Sequence, residues 1–155
     1  MYSVRGRTTA TGAVVDRVIA ALWNPHATQR VKVIQYSLVV AAAPAANAGF
    51  KLKRISSRGT PGSTETPGLA NHSIGGIAPP SGLLLDLGSY SVEPTLLSAE
   101  LGPGWPLAAV AASGFIYPIP AQGIEIAPGT GLALCNATGV IVPISDVSWA
   151  WMEDW

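Results

Sequence analysis

Residues 59–155 contain no lysine or arginine, because all nine basic residues of the chain lie between Arg5 and Arg58. Acidic residues are scarce before that boundary, where Asp16 is the only one of nine. The net charge is therefore +8 in the first part, from nine basic residues and one acidic residue, and −8 in the second. A charge asymmetry of this size points to partners of differing charge and says little about the fold.

Charged residues of either sign are few: they make up 12% of the chain, against about 25% in a typical globular domain. Disorder is excluded by the same composition, since 48% of the residues are hydrophobic. A membrane span of about 20 strongly apolar residues is also missing, because prolines interrupt the most apolar windows, 37–50 and 106–120. The composition therefore predicts a domain whose surface is largely buried against other chains.

Cysteine and histidine, which supply many reactive and metal-binding sites, are almost absent. Cys135 is the single cysteine, so an internal disulfide is impossible. His26 and His72 stand apart in turn-like contexts, which excludes a zinc-binding pattern. No Gly-x-Ser-x-Gly turn, closely spaced carboxylate pair or phosphate-binding loop is present. We therefore predict a protein that is not an enzyme and that needs no cofactor and no metal.

A secretion signal is not visible at the start of the chain, where an apolar segment would be needed. We therefore expect an intracellular protein that is made in the cytoplasm of its host and is not secreted. Asn71 and Asn136 each begin a glycosylation triplet, and in that location both are expected to stay unmodified.

Turn-forming residues are plentiful and evenly spread, with 17 Gly and 13 Pro separating short β-branched and apolar stretches. This pattern predicts many short strands joined by tight turns. The predicted strands span 13–23, 31–41, 50–56, 83–87, 114–119, 123–127, 131–135, 140–143 and 146–152. Helix signals are poor: two further segments, 95–101 and 107–112, are compatible with one or two helical turns each, and neither has a clear apolar stripe.

The predicted fold is all-β: an antiparallel two-sheet sandwich, with a jelly roll favoured and an immunoglobulin-like sandwich as the alternative. The Cys–Trp–Cys pattern of immunoglobulin domains is absent, which favours the jelly roll. All 155 residues are predicted to form one domain. Within it, residues 1–11 are predicted to form an N-terminal arm and residues 57–68 an extended polar loop.

The first set of candidate docking residues consists of cations. Six of them are predicted to face a partner with an acidic surface: Arg5, Arg7, Lys51, Lys53, Arg54 and Arg58. Alternation along segment 50–55 places Lys51 and Lys53 on one face of a strand and Arg54 on the other. Nucleic acid is not the expected partner, because no aromatic residues are interleaved with the cations and the pI is about 6.7. The alternative is that basic strands pair with acidic ones inside the domain.

Tryptophans form the second candidate set. Trp149 and Trp151 lie two residues apart, so one face of a strand would carry both indole rings, and Trp155 could extend that face. Tryptophan is a large apolar residue that is enriched at interfaces, and we therefore expect these three residues to pack in a core or a subunit interface. The alternative is a platform on which sugar rings stack.

Four segments of the chain resemble, in texture and order, small jelly-roll structural proteins of tailed bacteriophages. They are LWNPHATQRVKVIQYSLVV, FKLKRISSRGTPGSTETPG, IAPGTGLALCNATG and VSWAWMED. That group includes head decoration proteins, also called cement proteins. The resemblance implies a non-enzymatic virion protein on the capsid exterior, which forms a homotrimer or a dimer and binds the major capsid protein. It implies no catalytic or ligand-binding residue.

Two other classes of protein remain open from the sequence. A tail-fibre or adhesin-type domain that binds carbohydrate would expose tryptophan faces beside carboxylates. A soluble trimeric ligand domain, of the tumour-necrosis-factor or complement type, would be secreted, and the missing secretion signal disfavours it.

Overall fold

The computed structural model describes residues 1–66, 79–120 and 122–153, and these residues form eleven β-strands. In chain order the strands are β1 Tyr2–Arg7, β2 Val18–Trp23, β3 Val31–Val40, β4 Ala48–Ile55, β5 Ser63–Glu65, β6 Leu84–Leu87, β7 Leu96–Leu107, β8 Gly114–Pro118, β9 Ile124–Ile126, β10 Gly131–Asn136 and β11 Ser145–Glu153. Over the described ranges there is no helix that is long and apolar enough to cross a membrane.

Two antiparallel sheets divide these strands between them. The five-stranded sheet has the order β1-β11-β3-β8, and the short strand β9 also pairs with β3. The six-stranded sheet has the order β5-β6-β2-β10-β4-β7. The chain changes sheet at each step from β1 to β4 and again from β9 to β11, so neighbours within a sheet are distant in sequence. The predicted all-β two-sheet sandwich is thereby confirmed, and the strand order is compatible with a jelly roll.

The main core lies between the sheets and is built from the inward-facing residues of alternating strands. In β11 the pattern is clear, because Val147, Trp149 and Trp151 are buried and the residues between them face outward. A second, smaller cluster lies on the outer face of the six-stranded sheet, where Tyr90 packs against β2 and β10. That sheet is therefore covered on both faces there, whereas the outer face of the five-stranded sheet carries exposed residues such as Ile116.

Most predicted strands coincide with observed ones to within a few residues at their ends. The prediction of helical turns over 95–101 and 107–112 is wrong. Residues 96–107 form β7, the edge strand beside β4, and residues 108–112 form a turn. Backbone pairing with β4 outweighs the weak helical propensity of TLLSAEL. The predicted strand 140–143 contributes only an isolated bridge between Val142 and Thr11.

The N-terminal arm predicted over residues 1–11 is wrong as well, because β1 pairs with β11 along its whole length. Tyr2 and Val4 are buried in the core and supply the apolar alternation that holds this strand in place. Gly6 lets β1 approach β6 closely, since a Cβ atom there would lie 2.9 Å from a methyl carbon of Leu87.

The polar loop predicted over 57–68 is partly a strand. Within it, β5 adds to the edge of the six-stranded sheet beside β6, and Thr60 forms an isolated bridge with Val92. The side chains of β5 are all exposed, so no apolar alternation marks this strand in the sequence. Residues 67 and 68 of the predicted loop lie outside the described residues.

Candidate interaction surface

Lys51 and Lys53, two of the predicted docking cations, bind acidic residues of the same domain. Their Nζ atoms lie 2.8 Å and 2.9 Å from Oδ1 of Asp16, and Nζ of Lys51 lies 3.1 Å from Oε1 of Glu100. The two lysine side chains are only 13% and 10% exposed. Hydrogen bonds from Lys51 and then Lys53 lower the pKa of Asp16, and the bond to Asp16 raises the pKa of Lys51. These lysines are structural ions and present little charge to a partner.

Arg58 and Arg54 are also engaged inside the domain. The Arg58 guanidinium donates two hydrogen bonds of 2.7 Å to the carboxylate of Asp86, which is fully buried in β6. This bonding raises the pKa of Arg58, and the hydroxyl of Thr64 donates a further bond to Asp86. Arg54 lies on the face of β4 opposite to Lys51 and Lys53, and it donates a hydrogen bond to the backbone carbonyl oxygen of Glu125 at 2.6 Å. Both guanidinium groups therefore stabilise the fold and are less available to bind a partner.

Arg5 and Arg7 are the predicted docking cations that stay exposed, on β1 at the edge of the five-stranded sheet. Arg7 forms a two-point ion pair with Asp146 of β11, at 2.7 Å and 2.9 Å. The hydrogen bonds of that pair raise the pKa of Arg7 and lower the pKa of Asp146. Arg5 forms no ion pair with any described residue. It lines a shallow groove of about 520 Å³ together with outward-facing residues of β1, β3 and β11.

The basic first part and the acidic second part of the chain interleave in the fold. Several ion pairs join an early cation to a late acid: Arg7–Asp146, Arg17–Glu93, Arg30–Glu125, Lys51–Glu100 and Arg58–Asp86. Strand order explains this, because β1 lies beside β11 and β4 lies beside β7. For these residues the charges pair inside the domain, as in the alternative that the sequence left open, and they do not form two opposite poles.

Trp149 and Trp151 lie in the main core, 1% and 0% exposed. Of the two locations that the sequence left open, core or subunit interface, these two residues occupy the core. Trp149 stacks on an aromatic ring of β3 with 5.3 Å between the ring centroids. Both indole faces are covered and cannot hold a sugar ring. Trp155 lies outside the described residues, as do Asn71 and His72.

One end of the sandwich, which we name the apolar end, is formed by the four loops 8–17, 41–47, 108–113 and 137–144. Hydrogen bonds join neighbouring loops to each other: Thr11 N to Val142 O (2.9 Å), Ala41 N to Ile144 O (2.8 Å) and Ala109 N to Asn47 Oδ1 (3.1 Å). The four loops therefore make one continuous surface.

The exposed residues of the apolar end carry no charge and are mostly Ala, Val and Ile. The larger apolar side chains are between 46% and 59% exposed: Val14, Val15, Val110, Ile141 and Ile144. Asp16 and Arg17, the charged residues of these loops, are turned back into ion pairs with the domain. Soluble monomers rarely expose contiguous apolar patches larger than a few hundred Å², and larger patches mark interaction sites. The apolar end is therefore the candidate interaction surface.

Asn136, fully buried at the end of β10, fixes the loop 137–144. Its side-chain nitrogen donates to the carbonyl of Val140 at 2.7 Å, and its side-chain oxygen accepts from the N–H groups of Thr138 and Gly139, each at 3.1 Å. Gly139 has φ of +69°, in the left-handed region that glycine adopts without strain. The loop is therefore held in one conformation by the monomer itself.

Sequence analysis does not single out the apolar end, although a signal for it is present. The loops 41–47 (AAAPAAN) and 108–113 (AAVAAS) contain no charged residue. The uncharged loops before β4 and β8 converge with those before β2 and β11 because the strand order brings these four strand starts to one end of the sandwich. This convergence can be inferred from the sequence only when every strand is assigned correctly, and the wrong prediction at β7 prevents the inference.

Chemically reactive groups are sparse in the described structure. The thiol of Cys135 is buried in β10, and burial raises its pKa to about 12, so it stays protonated at neutral pH. His26 lies at the other end of the sandwich, where its Nδ1 accepts the backbone N–H of Gln29 at 2.9 Å. Within the described ranges there is no group of three or more His, Cys, Asp and Glu side chains that could hold a metal ion.

Comparison with known proteins gives no relative to guide the interpretation. The chain matches no protein-family model, no curated protein and no solved structure. The meaning of the apolar end therefore depends on its own geometry and composition.

Proposed function

We propose that this protein is a non-enzymatic structural protein of the virion, which decorates and stabilises a phage capsid from the outside. It would do so by self-association and by docking on major capsid subunits. The observation that carries the proposal is the apolar end, a preformed and mostly uncharged surface on a domain whose cations are mostly paired internally. Such a surface suits burial against other chains.

Burial of apolar surface would supply most of the association free energy, at about 25 cal/mol per Å², less the free energy lost in ordering the partners. The alanines and valines of the apolar end have few rotamers, so their burial loses little side-chain entropy. Repetition of the contact over symmetric copies of a shell would add avidity that one contact lacks.

Arg5 and Arg7 would supply the electrostatic part of docking. Arg5 forms no close ion pair with a described residue, although its charge helps to lower the pKa of Asp146, and its guanidinium can therefore meet a carboxylate of a capsid subunit, which would set the orientation of the docked protein. Asp146 neutralises Arg7 in the free protein, so we expect Arg5 to contribute more than Arg7.

Purified protein mixed with undecorated phage capsids tests the proposal. We expect co-sedimentation with the capsids and a higher capsid melting temperature. Arg5→Glu is expected to weaken binding by about tenfold. Arg30→Glu is the control, because Arg30 is also a surface arginine, paired with Glu125, but does not line the groove beside Arg5. Absence of both binding and melting shift would refute the proposal, and binding to a glycan array instead would support the carbohydrate-binding alternative.

A further inference from the structure

We infer that copies of this chain associate with each other through the apolar end, the loop tips of one copy packing on those of another. The inference rests on the proposed function, because it names the surface by which that docking protein would self-associate. Its test needs no capsid.

The apolar end has the extent of a complete interface. Its four loops expose about 20 residues, and one side of a standard protein–protein interface contains about 20 to 30. The most exposed apolar side chains, Val14, Val110 and Ile141, belong to three different loops. A partner that buries all three must therefore cover most of the end.

The backbone of the apolar end is prepared for burial. At the tip of loop 108–113, Val110 N donates to Ala108 O at 2.8 Å, and Ser113 Oγ donates to Val110 O at 2.6 Å. Asn136 pairs backbone groups of loop 137–144 in the same way. Polar groups that lose water without gaining a partner oppose association. Because these groups are already paired, another molecule can cover them in loops 108–113 and 137–144 without that penalty.

Charge selects a second copy as the occupant. When two copies meet through a surface whose charges are all of one sign, like charges oppose association. At the apolar end the charged residues, Asp16 and Arg17, are already held in ion pairs and the other exposed residues carry no charge, so this source of repulsion is small. Two copies meeting through the groove beside Arg5 would bring unpaired cations together, and that surface therefore favours an acidic partner of another kind.

A lipid membrane fits the apolar end less well than a second copy does. Surfaces that bind at a membrane interface combine apolar side chains with lysine, arginine and tryptophan. The exposed residues of the four loops include none of these three types. Composition therefore favours a protein contact.

Val110→Glu tests the inference, with Val92→Glu as the matched control. Both valines are 59% exposed, but Val92 lies outside the apolar end, opposite Thr60. In sedimentation velocity without capsids, we expect the wild-type protein and Val92→Glu to form the same oligomer. Val110→Glu is expected to raise the Kd of self-association by about tenfold or more, because it places a charge in a dry contact.

A second variant, Ile141→Glu on loop 137–144, should act in the same way, and thermal melting of each variant checks that it folds. A wild-type protein that stays monomeric at high concentration overturns the inference, as do apolar-end variants that oligomerise like the control. Binding of wild-type protein to phosphatidylcholine–phosphatidylglycerol vesicles, lost in Val110→Glu, would overturn it in favour of a membrane.

Capsid binding separates this inference from the proposed function. A protein that oligomerises through the apolar end but does not bind capsids would support the inference and refute the function. A protein that binds capsids through the apolar end but never self-associates would support capsid docking and refute the inference.

Discussion

At one end of the sandwich, the loops 24–30 and 127–130 carry an arginine, a histidine and a glutamine, whereas the charged residues in the four loops of the apolar end, Asp16 and Arg17, are held in ion pairs. We name the first of these the polar end. Each end is nevertheless held by a fully buried asparagine. Asn24 donates to Gln29 O at 2.8 Å and accepts from His26 N–H at 3.1 Å, much as Asn136 binds the loop that follows β10.

The two ends differ in what their side chains contact beyond these turns. At the polar end, Glu153 accepts hydrogen bonds from Trp151 Nε1 at 3.0 Å, from Gln29 Nε2 at 3.2 Å and from the hydroxyl of Ser81. At the apolar end the loops are joined mainly by backbone bonds, and the apolar side chains project outward. The polar end is therefore complete within one chain, whereas the apolar end has surface left to bury.

Asp86→Ala should have the largest effect, because Arg58 and Thr64 both bind this buried carboxylate of β6. We expect the free energy of unfolding in urea to fall by about 3 kcal/mol, as when one partner of a buried pair is removed. Asp146→Ala is the control: it breaks an equally short pair with Arg7, but an exposed one, and should leave the urea midpoint unchanged. Equal effects would contradict the view that the buried Asp86–Arg58 pair stabilises the fold more than the exposed pair does.

Asn24→Ala and Asn136→Ala compare the ends directly. Each removes a buried amide and leaves backbone groups unpaired, so each should lower the free energy of unfolding by about 2 kcal/mol. Only Asn136→Ala should also weaken self-association, because loop 137–144 then loses its fixed conformation. Sedimentation velocity below both melting transitions measures this. Equal weakening by the two variants would point to a general loss of stability and not to the order of one loop.

Acid should act on the ion cluster beside the apolar end. Lys51 and then Lys53 hold the pKa of Asp16 below its usual value, which is about 3.9 in an unfolded chain. A carboxylate with a lowered pKa contributes its full stabilisation above the unfolded pKa and loses it as the pH falls through the folded pKa. The urea midpoint of the wild-type protein should therefore fall more steeply below about pH 4 than that of Asp16→Asn. Parallel pH profiles would contradict this role of Asp16.

The smallest effect is expected at Cys135, whose thiol should hardly react with a thiol reagent in the native protein. Its buried thiol has a pKa of about 12, so a thiol reagent at neutral pH should label the folded protein slowly and the urea-unfolded protein at once. If the thiol of Cys135 is labelled faster in folded Asn136→Ala than in folded Asn24→Ala, the local unfolding that exposes it begins at the apolar end. Rapid labelling of the native wild-type protein would show that β10 is not the closed strand described here.

Strands with one buried face are predictable from the sequence, because burial imposes a period of two. In β11 the alternation of Val147, Trp149 and Trp151 is visible in the printed chain, and the structure follows it. β5 and β7 have no such signal, since their side chains are largely exposed. Their conformation comes from pairing with β6 and β4, which no local pattern records.

Charge pairing cannot be predicted from sequence patterns for a related reason. Arg7 and Asp146 lie 139 residues apart in the chain and side by side in the sheet. The distribution of charge along the sequence therefore suggests separation, whereas strand order produces neutralisation. The apolar end escapes sequence analysis in the same way, because its four loops become one surface only when every strand between them is placed.

The pairing of β1 with β11 also has a consequence for how the molecule is made. Tyr2 and Val4 are synthesised first, but their partner strand is completed only when Trp149 and Trp151 have left the ribosome. Contacts between residues so far apart in sequence slow folding, and an unpaired apolar strand can pair with a neighbouring nascent chain in the meantime. We therefore expect refolding yield to fall steeply with protein concentration, and a chaperone that shields β1 to restore it.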